Sequence, residues 1–182
     1  MTSSSEKSRA VFVDRDGTII RDADYCSVPS QVQVLHGAAG ALRRLKDAGF
    51  KIIVITNQSG IGRGFFTEKE YRAVEAELSR QLGHGLIDAT YFCPDAPDKT
   101  STCRKPAPGM VLAAAKDHTV DLSSSFLIGD KEIDAQCAHN AGVRAIRVRT
   151  GLDTATERSS ADWVAEDFAA ATDIILTKFA PV

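Results

Sequence analysis

Two aspartates stand one residue apart, Asp14 and Asp16, at the end of the run Ala10-Val11-Phe12-Val13 and just before Gly17-Thr18. Four apolar, β-favouring residues deliver Asp14 to the carboxyl end of a buried strand, where open α/β sheets place their ligands. Asp16 follows at i+2, so its carboxylate can return to the same side once the chain turns at Gly17. Two carboxylates held this close favour a bound divalent cation, because otherwise they repel and one must take up a proton. A carboxylate can also attack phosphorus and form an aspartyl phosphate. In isolation such a pair reads first as a strand and a polar Asp-Gly turn; the rest of the chain decides.

Three further polar clusters each follow an apolar run or a proline-rich loop. Ile52-Ile53-Val54-Ile55 leads into Thr56-Asn57-Gln58-Ser59-Gly60, a loop carries Arg104-Lys105-Pro106, and Phe126-Leu127-Ile128 leads into Gly129-Asp130-Lys131-Glu132-Ile133-Asp134. A carboxylate pair, a hydroxyl with amides, a lysine and a third carboxylate form a kit for phosphoryl transfer through a covalent intermediate. One part attacks, one binds the cation, and the others neutralise the equatorial oxygens.

In this order the clusters resemble the four motifs of the haloacid dehalogenase (HAD) phosphatase superfamily. More narrowly, DRDGT, TNQSGIGRG, CRKPAPGM and GDKEID resemble the heptose-1,7-bisphosphate 7-phosphatases and the related histidinol-phosphate phosphatases, from about Val11 to Gly151. The resemblance implies that Asp14 is the nucleophile. Asp16 would be the general acid that protonates the leaving oxygen and then activates water, which requires a carboxyl group whose protonation alternates. Thr56 and Asn57 would donate to the transferring phosphoryl group or, on the plainer reading, cap a turn. Lys105 would place a point charge on the same oxygens.

Magnesium is the implied cofactor, held by Asp14, by Asp16 through its backbone carbonyl, and by Asp130. Asp134 lies one turn on, where it either orients a metal-bound water or is a helix-surface acid. Arg104 and Lys131 flank the catalytic groups as candidate substrate contacts. Arg15, Gln58 and Ser59, with Asp22 and Tyr25 in the loop after the first motif, complete the candidate substrate-binding set. The four histidines share no ligand spacing, and Trp163 reads as packing.

The resembled subgroup carries a structural zinc before the third motif, in the pattern C-x-H … C-x-C-R-K-P. Here the loop from Cys93 to Pro106 holds Asp95 and Ser101 at two of the four ligand positions, leaving only Cys93 and Cys103. A structural site wants four nitrogen or sulfur ligands, so no zinc is expected. Pro94, Pro97, Pro106 and Pro108 lie in or just beyond this loop and can stiffen it by lowering its unfolded-state entropy.

These groups need a scaffold, and the chain supplies one. Its 182 residues suit one domain with a substantial core. A composition 43% hydrophobic and 25% charged is that of an ordinary globular protein. The formal net charge of −2 gives no reason to expect nucleic acid or an anionic membrane as partner. No apolar stretch approaches the roughly 20 residues of a membrane span. Residues 1–8 are polar with no apolar signal region and read as a flexible tail before a single domain over 9–182. Four cysteines are too sparse for a disulfide framework, so a reducing cytoplasm is the default.

Apolar runs alternate with helical patterns, which argues for a parallel sheet covered by helices. Strands are expected over 10–14, 51–56, 89–93, 125–129 and 144–148, with a weak sixth at 162–164. Helices are expected over 37–48, 68–82, 108–117, 132–141 and 166–177. Thr67 with Glu70 matches a capping box. The motifs after strands one, two and four then share one edge. About 40 residues separate Asp16 from Thr56, and about 48 separate Thr56 from Lys105. Both gaps are used up by a helix and a strand, so no cap domain fits. The expectation is an α/β, Rossmann-like HAD sheet sandwiched by helices, capless and monomeric.

The implied activity is magnesium-dependent hydrolysis of a sugar bisphosphate, a heptose 1,7-bisphosphate at its 7-phosphate. Histidinol phosphate or another small phosphomonoester is the alternative within the same chemistry. A second phosphate wants cations such as Arg104 and Lys131, whereas an amine wants acids. A receiver-like phosphate-accepting module is the alternative outside enzymology. Receivers phosphorylate an aspartate after the third strand, and here that strand ends at Cys93.

Overall fold

The structure, a computed structural model, describes residues 7–152 and 159–179. Six parallel strands form one sheet: β1 (Ala10–Val13), β2 (Lys51–Asn57), β3 (Ala89–Cys93), β4 (Phe126–Gly129), β5 (Arg144–Val148) and β6 (Trp163–Ala165). Their order is β3-β2-β1-β4-β5-β6. The helices are α1 (Ala38–Asp47), the single turn α2 (Ser59–Gly62), α3 (Glu68–Leu82), α4 (Gly109–Asp117), α5 (Glu132–Ala141) and α6 (Phe168–Phe179).

Every residue of β1 is buried, as expected of a strand covered on both faces. Val11 and Val13 point into one core with Leu42 and Leu45 of α1, Val74 and Leu78 of α3, and Ile175 of α6. Ala10 and Phe12 point into the other, with Met110 and Val111 of α4 and Ala135 and Ala138 of α5. Removing a ring such as that of Phe12 from this centre would cost about 3–5 kcal/mol. The chain winds outward from β1 to β2 and β3 on one side, and through β4 to β6 on the other. The reversal between β1 and β4 is a topological switch point, which opens a crevice at the carboxyl ends of the strands. The motifs that follow β1, β2 and β4 all reach it.

Local chemistry fixes the helix bearing the support for this crevice. The Thr67 hydroxyl accepts from the Glu70 amide at 3.3 Å, and Glu70 accepts in return from the Thr67 amide at 2.7 Å. This capping box starts α3, and a lost cap of this kind costs about 1 kcal/mol. Expected and observed spans agree for β3, β5, α3 and α5 and differ by one or two residues for the other expected elements, while the single turn α2 has no counterpart among them. The largest shift is at α6, which begins at Phe168 because the Asp167 carboxylate accepts from the Ala170 amide at 2.8 Å and caps the helix there. Ser8 is not tail: its amide donates to Thr119 and its carbonyl accepts from Asp121. Residues 1–6 of that segment lie outside the described residues. Among the described residues no cap domain is inserted, and no helix is long and apolar enough to cross a membrane.

Candidate active site

Asp14 lies just past β1, its amide donating to Ile128 of β4 at 2.9 Å, so the switch-point strands themselves aim it. Its carboxylate is buried beside the ammonium group of Lys105, with Nζ to Oδ1 at 2.5 Å. The same Nζ stands 2.6 Å from Asp134 Oδ1 and donates to the Ile55 carbonyl at 3.2 Å. Burial works against the charge on Lys105, but Asp134 and Asp14 outweigh it and hold its pKa above the ordinary value. The reading of Asp134 as a helix-surface acid is corrected: it is 2% exposed and forms one wall of the site. It is there because it also closes the first turn of α5, accepting from the Lys131 amide at 3.0 Å.

Asp130 follows β4 and is fully buried, and neither carboxylate oxygen has a hydrogen-bond partner. Lys131 Nζ approaches one of them to 3.5 Å. Burial first, and Asp14 second, push the Asp130 carboxyl up to about 8. A buried carboxyl left without donors is costly unless a cation takes the charge. Ligand atoms of Asp14, Asp130 and Asp134 all lie within 4.8 Å of one another, so the residues present fit a divalent cation. Gly17, at φ +84°, packs against Asp130, and a Cβ there would come within 2.6 Å of its carboxylate.

Asp16 lines the same inner cavity as this cluster but is held by other partners. Arg15 grips it with a fork, Nε to Oδ2 at 3.0 Å and Nη2 to Oδ1 at 3.1 Å, and Gln58 donates to Oδ2 at 3.0 Å. The expectation that Arg15 contacts substrate is therefore corrected. Its side chain is fully buried and committed to Asp16 and to Glu75, the latter at 2.9 Å. An arginine with no route to water must spend its charge on internal partners. Gln58 also donates to the Thr56 hydroxyl at 2.8 Å. Asn57 clasps the backbone of Lys105, donating to its carbonyl at 3.2 Å and accepting from its amide at 3.0 Å. Thus Asn57 locks the lysine loop to the end of β2 while still bordering the cavity.

Thr56, Asp14, Lys105 and Asp134 line an inner cavity of about 50 Å³. It adjoins an outer pocket of about 520 Å³ bordered by Asp22, Tyr25, Ser59, Arg104 and Lys131. Lys131 pairs with Asp22 at 3.1 Å. Asp24 and Tyr25 have positive φ values of 46° and 71°, a conformation that non-glycine residues adopt rarely. The bend sets the Tyr25 ring edge-on to Phe65 across the rim, with centroids 4.9 Å apart. Burial and the neighbouring Arg63 pull the Arg104 pKa below its ordinary value.

The loop before the third motif differs from the expectation of free thiols. Cys93 and Cys103 form a disulfide, a single local bridge rather than a framework. Ser101 accepts from the amides of Cys103 at 3.3 Å and Arg104 at 3.0 Å, and so folds the turn that presents Arg104. Asp95 Oδ2 sits 3.6 Å and 3.5 Å from the two sulfurs. The four positions converge, but two sulfurs are spent on each other and the others offer only oxygen. Ligand atoms of Cys93, Asp95 and Cys103 lie within 4.8 Å of one another, but this set falls short of the four nitrogen or sulfur donors that a structural zinc wants.

Sequence reasoning missed Glu75, which lies mid-helix and 60 residues from Arg15. The available signal was a charged residue between two aspartates at a buried strand end, which demands a counter-charge from a packed helix.

The HAD-hydrolase-like family model matches residues 102–171. The chain is 39% identical over 172 residues to the D-glycero-beta-D-manno-heptose-1,7-bisphosphate 7-phosphatase of Yersinia pestis, covering 88% of this chain and 91% of that one. It is 41% identical over 141 residues to the protein of the same name from Helicobacter pylori, covering 75% and 81%. The crystal structure of D,D-heptose 1,7-bisphosphate phosphatase from B. bronchiseptica, complexed with magnesium and phosphate, matches with a TM-score of 0.87 at 33% identity. It covers 93% of this chain and 99% of that one.

Proposed function

Because the chain belongs to the HAD-like phosphatases, a family of phosphoric monoester hydrolases, we propose that it removes the 7-phosphate of a heptose 1,7-bisphosphate through an aspartyl phosphate on Asp14. The observation that carries this reading is the buried Lys105–Asp14 pair at the foot of a pocket whose rim bears Arg104 and Lys131. With Oδ1 held by Lys105, the attack on phosphorus falls to the other oxygen of Asp14. The bond from phosphorus to the sugar oxygen breaks, and the leaving oxygen takes its proton from Asp16. Asp16 then draws a proton from water, which attacks phosphorus and releases orthophosphate and free Asp14.

Magnesium is the cofactor in this reading, held by Asp14, Asp130 and the backbone carbonyl of Asp16. When bound it would neutralise charge on the carboxylates and on the transferring phosphoryl group. Asp134 keeps Lys105 charged and pointed at the same oxygens. Ser59, Thr56 and Asn57 border the space the phosphoryl group enters.

Specificity comes from the outer pocket, since no cap domain is inserted among the described residues. Arg104 near Arg63 makes a cation-rich edge, which favours a second phosphate. Asp22 and Lys131 on the same rim pair with each other at 3.1 Å, which leaves Arg104 as the rim cation for a second phosphate and Asp24 as the rim acid for an amine such as that of histidinol phosphate. A receiver-like role fits poorly, because the strand order differs from the 2-1-3-4-5 sheet of that fold. The test is phosphate release from heptose 1,7-bisphosphate, its monophosphates and histidinol phosphate. A higher kcat/KM for the bisphosphate supports the reading; preference for histidinol phosphate overturns it.

A further inference from the structure

Among the described residues Arg15 is the largest side chain with no exposure, and it lies one residue from each catalytic aspartate. A buried guanidinium is tolerated only where its charge meets well-placed acceptors. One edge of the fork takes both oxygens of Asp16. The remaining nitrogen, Nη1, donates to Glu75 Oε1 at 2.9 Å. The face of the group lies 5.4 Å from the ring centroid of Tyr71. Tyr71 and Glu75 are four residues apart on α3, so one helix face supplies both contacts. Glu75 itself touches nothing that reacts; its side chain is 14% exposed and faces inward.

Asp16 has the opposite problem. It sits in a turning loop with a short side chain, and its carboxylate must be held at one angle to serve the leaving oxygen. A planar, bidentate grip fixes that angle only if the gripping group is itself fixed. We propose that Glu75 is a positioning residue for the reaction, acting through Arg15 to set the orientation of the Asp16 carboxylate. Gln58, donating to the same Asp16 oxygen from the opposite element, makes the third side of the mount. The chain from α3 to the acid is thus Glu75, Arg15, Asp16, with each link a charge-assisted hydrogen bond of 2.9–3.1 Å. The inference rests on the reading of Asp16 as the acid that protonates the leaving oxygen.

The test uses the leaving group. kcat/KM reports steps up to departure of the alcohol, and p-nitrophenolate departs without a proton, whereas a sugar oxygen needs one. Glu75→Gln should lower kcat/KM for the sugar bisphosphate about ten- to a hundredfold, the order expected for a misplaced catalytic group. It should leave p-nitrophenyl phosphate within about twofold of wild type. Glu75→Asp should recover part of the loss. In an Asp16→Asn background, Glu75→Gln should add no further loss on the sugar substrate. Equal losses on both substrates, or an undiminished loss in the Asp16→Asn background, would overturn the proposal and leave Glu75 a structural ion pair. If Glu75→Gln does not fold, Arg15→Lys, which keeps the charge and removes the fork, must show the same substrate selectivity. Full sugar-phosphate activity in Asp16→Asn itself would instead remove the acid reading, a separate failure from that of Glu75.

Discussion

Lys105 Nζ stands 2.5 Å from Asp14 Oδ1, and both side chains are almost wholly withdrawn from water. The lysine is delivered by a loop that Asn57 clasps at both its amide and its carbonyl, so its position is a property of the strand ends. Changing Lys105 to methionine leaves Asp14 and Asp134 facing each other without a cation. Breaking a buried pair this way costs about 3–5 kcal/mol, so the melting temperature should fall clearly. Activity should drop about 10²–10³-fold, equally for mono- and bisphosphates, because the phosphoryl group is common to both. A loss confined to one substrate would place Lys105 in the specificity pocket instead.

Arg104 should behave in the opposite manner. If it reads the distal phosphate, Arg104→Ala lowers kcat/KM for the bisphosphate about ten- to a hundredfold, as expected for a charge-assisted bond of about 1.5–3 kcal/mol. A monophosphate should lose much less. Equal losses would assign Arg104 to the common phosphate site and leave the heptose assignment resting on similarity to its relatives.

Asp130 gives the site a pH signature. In the metal-free protein its carboxyl is pushed from the ordinary 3.8 up to about 8. Between these values the native state holds a proton that the unfolded chain has released. Stability of the metal-free protein should therefore fall as pH rises through this window. Magnesium must displace that proton, so its affinity should strengthen with pH by up to about tenfold per unit until about pH 8, then level off. Thermal melts in EDTA and magnesium titrations of wild type against Asp130→Asn check both. An identical pH dependence in the variant would remove Asp130 from the explanation.

The convergence of the candidate site residues was legible because they are few, local and set after apolar strands. Asp14, Lys105 and Asp130 converge because the strand order brings three chain-distant loops to one switch point. What stayed hidden depended on tertiary contact. Asp134 reads as either an orienter of a metal-bound water or a helix-surface acid, since α5 periodicity does not say which acid meets a lysine from another loop. Arg15 read as a substrate contact because a single sequence does not reveal a counter-charge 60 residues away. The start of α6 moved for a local reason, the choice of Asp167 over Glu166 as its first acid.

The loop of Cys93 and Cys103 should hold its shape without metal. Purified protein should carry well under one zinc per chain, and zinc chelation should leave the melting temperature unchanged. Under non-reducing denaturation only Cys26 and Cys137 should react as thiols. Stoichiometric zinc by elemental analysis with four reactive thiols would mean that Asp95 and Ser101 complete a metal site.

The claim that Asp14 carries the phosphoryl group is tested most directly by acid-quenching the enzyme during turnover of a radiolabelled substrate and mapping the label. The account predicts a hydroxylamine-labile label on the peptide containing Asp14, and neither label nor turnover in Asp14→Asn. An Asp14→Asn enzyme that keeps near-native kcat, with no protein-bound label in wild type, would contradict it.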